Sequence, residues 1–329
     1  MKIVCDDKIP FLKGVFEPYA QVVYLPGAQI AAADVRDADA LIVRTRTRVD
    51  AALLEGSRVR AVVTATIGFD HIDTQYCESH GIVWTNAPGC NAASVCQWVA
   101  STVEYLAHRH GLALRELRLG IVGVGNVGGK VLDWASGQFR QCLLCDPPRA
   151  EWDKDRVYVD LDTILRDCDV ITLHVPLAAD TFHLFDAQRL AQMSSGQLLL
   201  NSSRGEVVDG DALRSCLENH SIMGAALDVW EHEPAISQSL MHRLDVATPH
   251  IAGYSADGKA TGTSMAVRAV AKALGISDLL NWRVPCIPAA EDPVYDVLRD
   301  DAALRAHPED FEALRSNYPV RREPLYRKY

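Results

Sequence analysis

Residues 117–128 read LRLGIVGVGNVG, and this stretch decides the fold class of the chain. An apolar run of the kind that forms a strand leads into Gly123, Gly125 and Gly128, which have GxGxxG spacing, and NVGGKVLDWA then opens a helix. Asp146 follows 18 residues after Gly128, at the end of the next strand-like run. A strand, a glycine turn, a helix and a later acidic residue in this order are the fingerprint of a dinucleotide-binding fold.

Each residue of the turn has an expected task. Gly123 permits the tight turn, Gly125 lets a pyrophosphate approach the backbone, and Gly128 lets helix and strand pack closely. The amides of Asn126 and Val127 are expected to face the pyrophosphate at the helix N-terminus.

Asp146 is expected to select the cofactor. Its carboxylate would accept hydrogen bonds from the adenosine ribose hydroxyls and would repel a 2′-phosphate, which predicts NAD over NADP. Arg149 in the same DPPR run weakens this prediction slightly, because a nearby arginine can serve NADP instead.

Composition limits the class of partner. The chain has 329 residues, 48% hydrophobic and 23% charged, which is ordinary for a globular protein of one large or two ordinary domains. Its formal net charge of −10 disfavours a nucleic-acid or anionic-membrane surface, so any positive charge for an anionic substrate must be local. The nine cysteines are scattered, and Asp6 and Asp7 end the N-terminal apolar run that a secretory signal would extend. We therefore expect a cytoplasmic protein.

The pair Cys142 and Cys145 has CxxC spacing but lies within one strand-like run. A zinc site needs a second pair and a redox motif needs a helix N-terminus. We interpret both side chains as packing residues and expect no metal.

Strand-like and helix-like segments alternate along most of the chain, a pattern typical of an α/β protein with parallel sheets. Helical spacing covers residues 92–114 and 256–273. Strands are predicted at KIVC, QVVYL, ALIVR, AVVTAT, IVWTN, LRLGIV, CLLCD, DVITLHV, GQLLLNSS, GAALDVW and VATPHI.

Polar residues follow three of the later strands, at the edge where open α/β sheets bind ligands. They are Ser202, Ser203 and Arg204 after one strand, Asp228 and Glu233 after the next, and His250, Gly253 and Tyr254 after the last. Taken singly, a histidine is more often a packing residue, and an arginine or glutamate is more often a surface ion-pair partner or a solvated carboxylate.

Together, Arg204, Glu233 and His250 form a chemical set for oxidising an alcohol beside a carboxylate. His250 would accept the hydroxyl proton, and Glu233 would orient the imidazole and stabilise the imidazolium. Arg204 would bind the substrate carboxylate as a fork and polarise the adjacent oxygen.

The runs GVGNVG, SSRGEVVD, LDVWEHEP and TPHIAGYS resemble the D-specific 2-hydroxyacid dehydrogenase family. TATIGFDHID, APGCNAASV and LLCDPPRA are similar to the branch of that family that oxidises a phosphorylated four-carbon hydroxy acid, and the resemblance spans about residues 40–275. It implies an NAD-dependent enzyme in which Arg204, Glu233 and His250 are catalytic.

The same resemblance implies further contacts to cofactor and substrate. Those to the cofactor come from Val175, Ser202, Ser203, Arg204, Asp228 and Gly253, and those to substrate from Thr45, Thr66 and Tyr254. Thr45 lies in VRTRTRV, whose three arginines share one face if the segment stays extended and would then supply local positive charge. A solvated edge strand is the alternative interpretation of these arginines.

The resemblance also implies the domain division. We expect a flavodoxin-like α/β substrate domain at 1–92, a Rossmann NAD-binding domain at 93–255 and a helix at 256–280 that returns to the substrate domain. Residues 281–329 resemble the first part of a dimerisation domain and are expected to form a short appendage. A homodimer is expected, although this short region leaves the oligomeric state open.

Two other functions fit the same residues. One is a sibling dehydrogenase acting on glycerate, lactate, phosphoglycerate or hydroxypyruvate and glyoxylate, because Arg204, Glu233 and His250 serve any 2-hydroxy acid. The other is a non-enzymatic NAD(H)-sensing scaffold, since fold alone never establishes activity.

Overall fold

The computed structural model describes residues 1–329, and the chain divides into two compact units. Unit 1 comprises Met1–Asn91 and Ser255–Pro288, and unit 2 comprises Ala92–Tyr254 and Ala289–Tyr329. The C-terminal residues, which the sequence predicted as an appendage, form part of unit 2 from Ala289 onward.

The strands are β1 (Lys2–Asp6), β2 (Gln21–Leu25), β3 (Ala40–Val43), β4 (Ala61–Thr64), β5 (Val83–Thr85), β6 (Arg118–Val122), β7 (Gln141–Cys145), β8 (Val170–Leu173), β9 (Leu198–Asn201), β10 (Gly224–Leu227) and β11 (Val246–Ala247). The helices are α1 (Ala32–Val35), α2 (Ala51–Leu54), α3 (Thr74–Ser79), α4 (Ala92–His110), α5 (Asn126–Ala135), α6 (Pro147–Ala150), α7 (Leu161–Asp167), α8 (Ala187–Leu190), α9 (Gly210–Glu218), α10 (Gln238–Met241), α11 (Ala256–Leu274), α12 (Val297–Ala306) and α13 (Phe311–Ser316).

Unit 1 is built on a parallel five-stranded sheet of order β2-β1-β3-β4-β5, the flavodoxin-like arrangement. Its central strands are mostly apolar because both faces are covered, and Ile3 and Ile42 are fully buried. Helix α11 supplies Val267 to the core on one of these faces. The prediction of an α/β substrate-type domain is confirmed in its fold class.

Unit 2 is built on a parallel six-stranded sheet of order β11-β10-β9-β8-β6-β7. Tyr158 adds a single parallel bridge to Leu144 of β7, in the place of a further strand. With that bridge counted, the sheet has the 3-2-1-4-5-6 order of a Rossmann fold and one strand more. The predicted Rossmann fold is therefore confirmed, with its third strand reduced to one residue pair.

The register of this sheet brings the strand ends together. Val122 pairs with Leu173, and Asn201 pairs with both Leu173 and Leu227, which in turn pairs with Ala247. The residues that follow these strand ends are therefore neighbours along one edge: Gly123, His174, Ser202, Asp228 and Thr248. This is the edge at which open parallel sheets bind ligands.

Long apolar helices and paired cysteines are the features that would mark a membrane or disulfide-bonded protein. No helix combines the length and the apolar character that crossing a membrane requires. All nine cysteines are free thiols, and of the CxxC pair Cys145 is buried and Cys142 half-buried on β7.

Candidate active site

The glycine turn after β6 has the shape of a phosphate cradle. Gly123 has a φ of +86°, and a Cβ there would lie 2.6 Å from the carbonyl oxygen of His174. A Cβ on Gly128 would lie 2.0 Å from the carbonyl oxygen of Gly123, so neither position accepts a side chain. Gly125 caps the ten-residue helix α5 without a side-chain hydrogen bond, and a Cβ there would meet nothing within 4 Å. The amides at the start of α5 are thus open to an anion.

Asp146 lies beside this turn at the end of β7. Its Oδ2 accepts a hydrogen bond from the Val124 amide at 2.7 Å, and its Oδ1 accepts one from the Arg149 amide at 3.0 Å. The Arg149 guanidinium bonds the Val124 carbonyl and Asp153, with Nε 3.2 Å from Asp153 Oδ2, and lies over the Trp152 ring. Arg149 is therefore engaged within the protein, which weakens the argument that it serves a 2′-phosphate.

Two buried polar atoms at the next strand ends have no partner in the protein. They are His174 Nδ1 after β8 and Ser202 Oγ after β9. Burial lowers the pKa of His174 to about 3, so its ring is neutral, and its Nε2 lies 3.0 Å from Thr172 Oγ1. Buried polar atoms without partners are rare in native proteins, and a bound dinucleotide with its polar groups would supply partners here. The turn and these atoms together fit NAD.

A buried carboxylate holds the loop that follows β11. Asp228 is 1% exposed, and its Oδ1 accepts hydrogen bonds from the Ile251 amide at 2.8 Å and the Thr248 hydroxyl at 2.6 Å. Its Oδ2 accepts one from the Ala252 amide at 2.9 Å. Within this loop His250 has a φ of +55°, in the left-handed region that non-glycine residues rarely adopt. The hydrogen bonds that Asp228 accepts hold the loop in that conformation.

The two residues predicted to form the acid–base pair are in contact. His250 Nδ1 lies 2.7 Å from Glu233 Oε2, and Glu233 Oε1 accepts a hydrogen bond from the Trp230 amide at 3.0 Å. Burial alone would raise the pKa of Glu233, but the hydrogen bond and charge of His250, with the Trp230 amide, outweigh it and the pKa is lowered. With Nδ1 bonded to a carboxylate, Nε2 is the nitrogen left to exchange a proton.

The run WEHEP contains two glutamates, and the structure gives them different partners. Glu231 Oε1 lies 2.8 Å from His183 Nε2, and Glu231 Oε2 accepts a hydrogen bond from the Gly210 amide at 2.8 Å. Glu233 alone of the two bonds His250. Unit 2 thus holds two histidine–glutamate pairs. The pair of His250 and Glu233 consists of predicted site residues, and the pair of His183 and Glu231 does not.

Arg204 lies on a turn that the side chain of Asn201 closes. Asn201 is fully buried, and its Nδ2 donates to the Arg204 carbonyl at 2.8 Å while its Oδ1 accepts from the Ser203 amide and hydroxyl at 3.0 and 2.7 Å. Arg204 Nη1 donates to the Ser203 carbonyl at 2.8 Å. The half-buried guanidinium is therefore carried at the end of β9, next to the strand that leads to Glu233.

No motif in the sequence points to Arg315, which lies beside the predicted residues of this unit. Its guanidinium carbon is 5.7 Å from the centroid of the Tyr254 ring, and its Nη1 is 3.0 Å from Glu312 Oε1. The positive charge of Arg315 contributes to lowering the pKa of Glu233. Arg315 is 61 residues along the chain from Tyr254, and no spacing rule connects them.

Unit 1 carries the two predicted substrate threonines near the ends of neighbouring strands. Thr45 is exposed, two residues after β3, and Thr66 is half-buried, two residues after β4, with its hydroxyl 2.7 Å from Thr64 Oγ1. Strands β3 and β4 pair in parallel through Val43 and Thr64, so the two threonines follow adjacent strand ends.

The three arginines near Thr45 are expected to share one face only if their segment stays extended, and it does not. The segment VRTRTRV does not stay extended, because β3 ends at Val43 and the Thr47 amide bonds the Arg44 carbonyl at 3.3 Å in a turn. The two-residue alternation of a strand therefore cannot place the three arginines on one face. Arg44 Nη1 donates to the Lys8 carbonyl at 3.2 Å, and Arg48 pairs with Asp50 at 2.8 Å.

Comparison with known proteins identifies two matched regions. Residues 93–252 match the NAD binding domain of the D-isomer specific 2-hydroxyacid dehydrogenases, and residues 2–133 match the catalytic domain of the same family. An erythronate-4-phosphate dehydrogenase of Bacteroides fragilis is 45% identical over 98% of this chain and 97% of its own length. An enzyme of the same name from Ectopseudomonas mendocina is 44% identical over 98% of this chain and 93% of its own length.

Among solved structures, a D-lactate dehydrogenase from Aquifex aeolicus complexed with NAD and lactic acid superposes with a TM-score of 0.70. It is 24% identical, and the match covers 88% of this chain and all of that one. At this identity the likeness establishes the fold alone.

Proposed function

Because the chain belongs to the D-isomer specific 2-hydroxyacid dehydrogenase family, we propose that it oxidises 4-phospho-D-erythronate to 2-oxo-3-hydroxy-4-phosphobutanoate with NAD. Relatives named erythronate-4-phosphate dehydrogenase, 41–45% identical over 98% of this chain, support the choice of substrate. We assign the reaction to pyridoxal 5′-phosphate biosynthesis.

The bond between His250 Nδ1 and Glu233 Oε2, 2.7 Å long, is the observation that carries the proposal. It leaves Nε2 of His250 as the base for the hydroxyl proton of the substrate, and the nearby carboxylate stabilises the imidazolium that results. When bound, NAD accepts the hydride that leaves the carbon bearing this hydroxyl. In the reverse direction, Nε2 returns the proton to the carbonyl oxygen.

Arg204 is proposed to bind the substrate carboxylate. Its guanidinium has the planar fork that pairs with a carboxylate through two hydrogen bonds, and its positive charge polarises the adjacent oxygen as a carbonyl develops there. The turn closed by Asn201 fixes the backbone of Arg204, which reduces the ordering needed when substrate binds.

The remaining site assignments are proposals of the same kind. The glycine turn, the start of α5 and Asp146 would hold the pyrophosphate and the adenosine ribose. Val175, Ser202, Ser203, Asp228 and Gly253 would line the rest of the cofactor site, and Thr45, Thr66 and Tyr254 would contact substrate. We also propose a cytoplasmic homodimer, for which the nine free thiols support the location only.

The substrate assignment is tested by a panel assay of NADH formation. The panel contains 4-phosphoerythronate, erythronate, glycerate, lactate and 3-phosphoglycerate. We expect the highest kcat/KM for 4-phosphoerythronate, with erythronate far lower because the phosphate contacts are lost. A higher kcat/KM for another acid would reassign the substrate within the family, and tight NAD binding without turnover of any acid would favour an NAD(H)-sensing scaffold.

A further inference from the structure

A buried arginine near the C-terminus of the chain contacts the loop after β11, which carries His250. Arg321 is 5% exposed, and its Nη2 donates to the Ala252 carbonyl at 2.7 Å while its Nη1 donates to the Ile251 carbonyl at 3.3 Å. These are the two residues whose amides bond the Asp228 carboxylate. The loop is therefore held through its amides by one buried charge and through its carbonyls by another.

Further hydrogen bonds of Arg321 connect it to helix α4. The second N–H of Nη2 is shared by the Ser94 carbonyl and hydroxyl oxygens, each 2.7 Å from the nitrogen, and Nε donates to Gln97 Oε1 at 2.9 Å. The Ser94 hydroxyl in turn donates to the Ala252 carbonyl at 2.9 Å. The guanidinium carbon lies 4.1 Å from the centroid of the Tyr295 ring, which covers one face of the group. A guanidinium with this many fixed acceptors has one position.

We propose that Arg321 is a positioning residue for the acid–base histidine. Arg321 donates two hydrogen bonds to the carbonyls of Ile251 and Ala252, and Asp228 accepts hydrogen bonds from the amides of the same residues. Together they fix the loop so that His250 keeps its left-handed backbone and its bond to Glu233. This inference rests on the function proposed above, in which His250 transfers the proton. A displacement of about 1 Å in a reacting group can reduce turnover by about 10²-fold, so a small movement of this loop matters.

The simpler alternative is that Arg321 only anchors the C-terminal segment. The chain offers a matched control in Arg305 of α12, which also donates to two backbone carbonyls. Its Nη1 and Nη2 bond Met241 and Leu244 at 2.9 Å each, and its Nε bonds Asp301 at 2.9 Å. Arg305 anchors the same segment with the same chemistry, but to a stretch that carries no predicted site residue.

The test compares Arg321→Ala, Arg321→Lys and Arg305→Ala in the full-length chain. We measure kcat, KM, the Kd for NAD, Tm, and deuterium uptake of the backbone amides of residues 250–254 by mass spectrometry. For Arg321→Ala we expect kcat to fall about 10²-fold, with the Kd for NAD within about threefold of wild type. Added guanidinium ion should restore part of the lost kcat by occupying the vacated site. Arg305→Ala should lower Tm but leave kcat and the exchange of the loop unchanged, with no response to guanidinium.

Arg321→Lys keeps the positive charge and provides the test if the alanine variant does not fold. A lysine ammonium cannot replace a planar fork that serves several carbonyls at once, so faster exchange at residues 250–254 and a drop of about tenfold in kcat are expected. Exchange like that of wild type in Arg321→Lys, or equal losses of kcat in Arg321→Ala and Arg305→Ala, would overturn the proposal. The exchange measurement needs no turnover, so its outcome is separate from the failure of the proposed function, which would appear as an inactive wild-type enzyme.

Discussion

His250 Nδ1 lies 2.7 Å from Glu233 Oε2, although the two residues leave different strands and are 17 positions apart. The contact fixes which nitrogen of the ring is bonded, and it leaves Nε2 for the proposed proton transfer. It also means that Glu233, like His250, can be tested by mutation. Predictions about the two residues are therefore linked.

His250→Asn should lose roughly 10²–10⁴-fold in kcat, the usual contribution of general acid–base catalysis, and should still bind NAD. The asparagine keeps a polar group near Glu233 but cannot accept the hydroxyl proton. Steady-state kinetics and NAD titration of the purified variant measure both effects. His183→Asn is the matched control, because it removes the histidine of the other pair, with Glu231, and should leave kcat near wild type. Near-normal turnover by folded His250→Asn would return the histidine to a packing role.

Glu233→Gln should move the acid limb of the pH–rate profile to lower pH and reduce kcat. The Glu233 carboxylate, whose pKa is lowered, stays ionised below the usual range and stabilises the imidazolium. Without that charge the imidazolium is less stable, so the neutral base persists to lower pH. The measurement is kcat/KM against pH for this variant beside Glu231→Gln, whose carboxylate bonds His183. An acid limb that stays in place, or one that shifts equally in both variants, contradicts the assignment.

Asp146→Ala should narrow the preference for NAD over NADP. The wild-type carboxylate would repel a 2′-phosphate at the position of the adenosine ribose, and the alanine removes that repulsion. The change also removes the bonds that Asp146 accepts from the amides of Val124 and Arg149, so NAD affinity should fall as well. The ratio of kcat/KM for the two cofactors gives the answer. Equal use of both by the unmutated protein would refute the role of this residue.

Asp300 should make the unfolding free energy depend on pH. Burial raises the pKa of this carboxyl to about 6, against the opposing charge of Arg321 and the hydrogen bonds from Tyr318 at 2.8 Å and Tyr295 at 2.9 Å. Between about pH 4 and pH 6 the folded chain retains a proton that the unfolded chain has released, so stability falls as pH rises through this window.

Asp300→Asn should lack this contribution. Its unfolding free energy, compared with that of wild type in denaturant titrations from pH 4 to pH 7, should show the wild type losing stability relative to the variant as pH rises. The relative change should be at most about 3 kcal/mol, since one unit of pKa corresponds to about 1.4 kcal/mol. A relative gain by the wild type over the same range would show that the pKa is not raised.

Much of the fold follows from local patterns. Strands with both faces covered consist of continuous apolar residues, so ALIVR and DVITLHV could be placed from their composition to within a residue or two of β3 and β8. The glycine turn could be predicted because Gly123 and Gly128 each meet a steric demand, as the positive φ of Gly123 and the close approach at Gly128 show. The shared face of the arginines after β3 depends on an extended backbone, and local patterns do not show that the strand ends at Val43, where the chain turns.

Site residues could be proposed from the sequence only where the proposed function requires a particular side chain. His250, Glu233 and Arg204 stand out because their chemistry is specific. The partners of Arg321 are mainly backbone carbonyls, which every residue has, so no motif marks them. The different partners of Glu231 and Glu233 likewise depend on the path of the loop after β10, which cannot be read from the sequence.

The hydrogen bonds of Arg321 join positions 227 residues apart, at Ser94, and this separation has a consequence for folding kinetics. Closing a chain segment of that length costs about 5 kcal/mol of entropy, which must be spent before the contact contributes anything. The helices and the parallel strands of unit 2 depend on shorter separations and can form first. During refolding from denaturant, far-UV circular dichroism should therefore recover before dehydrogenase activity.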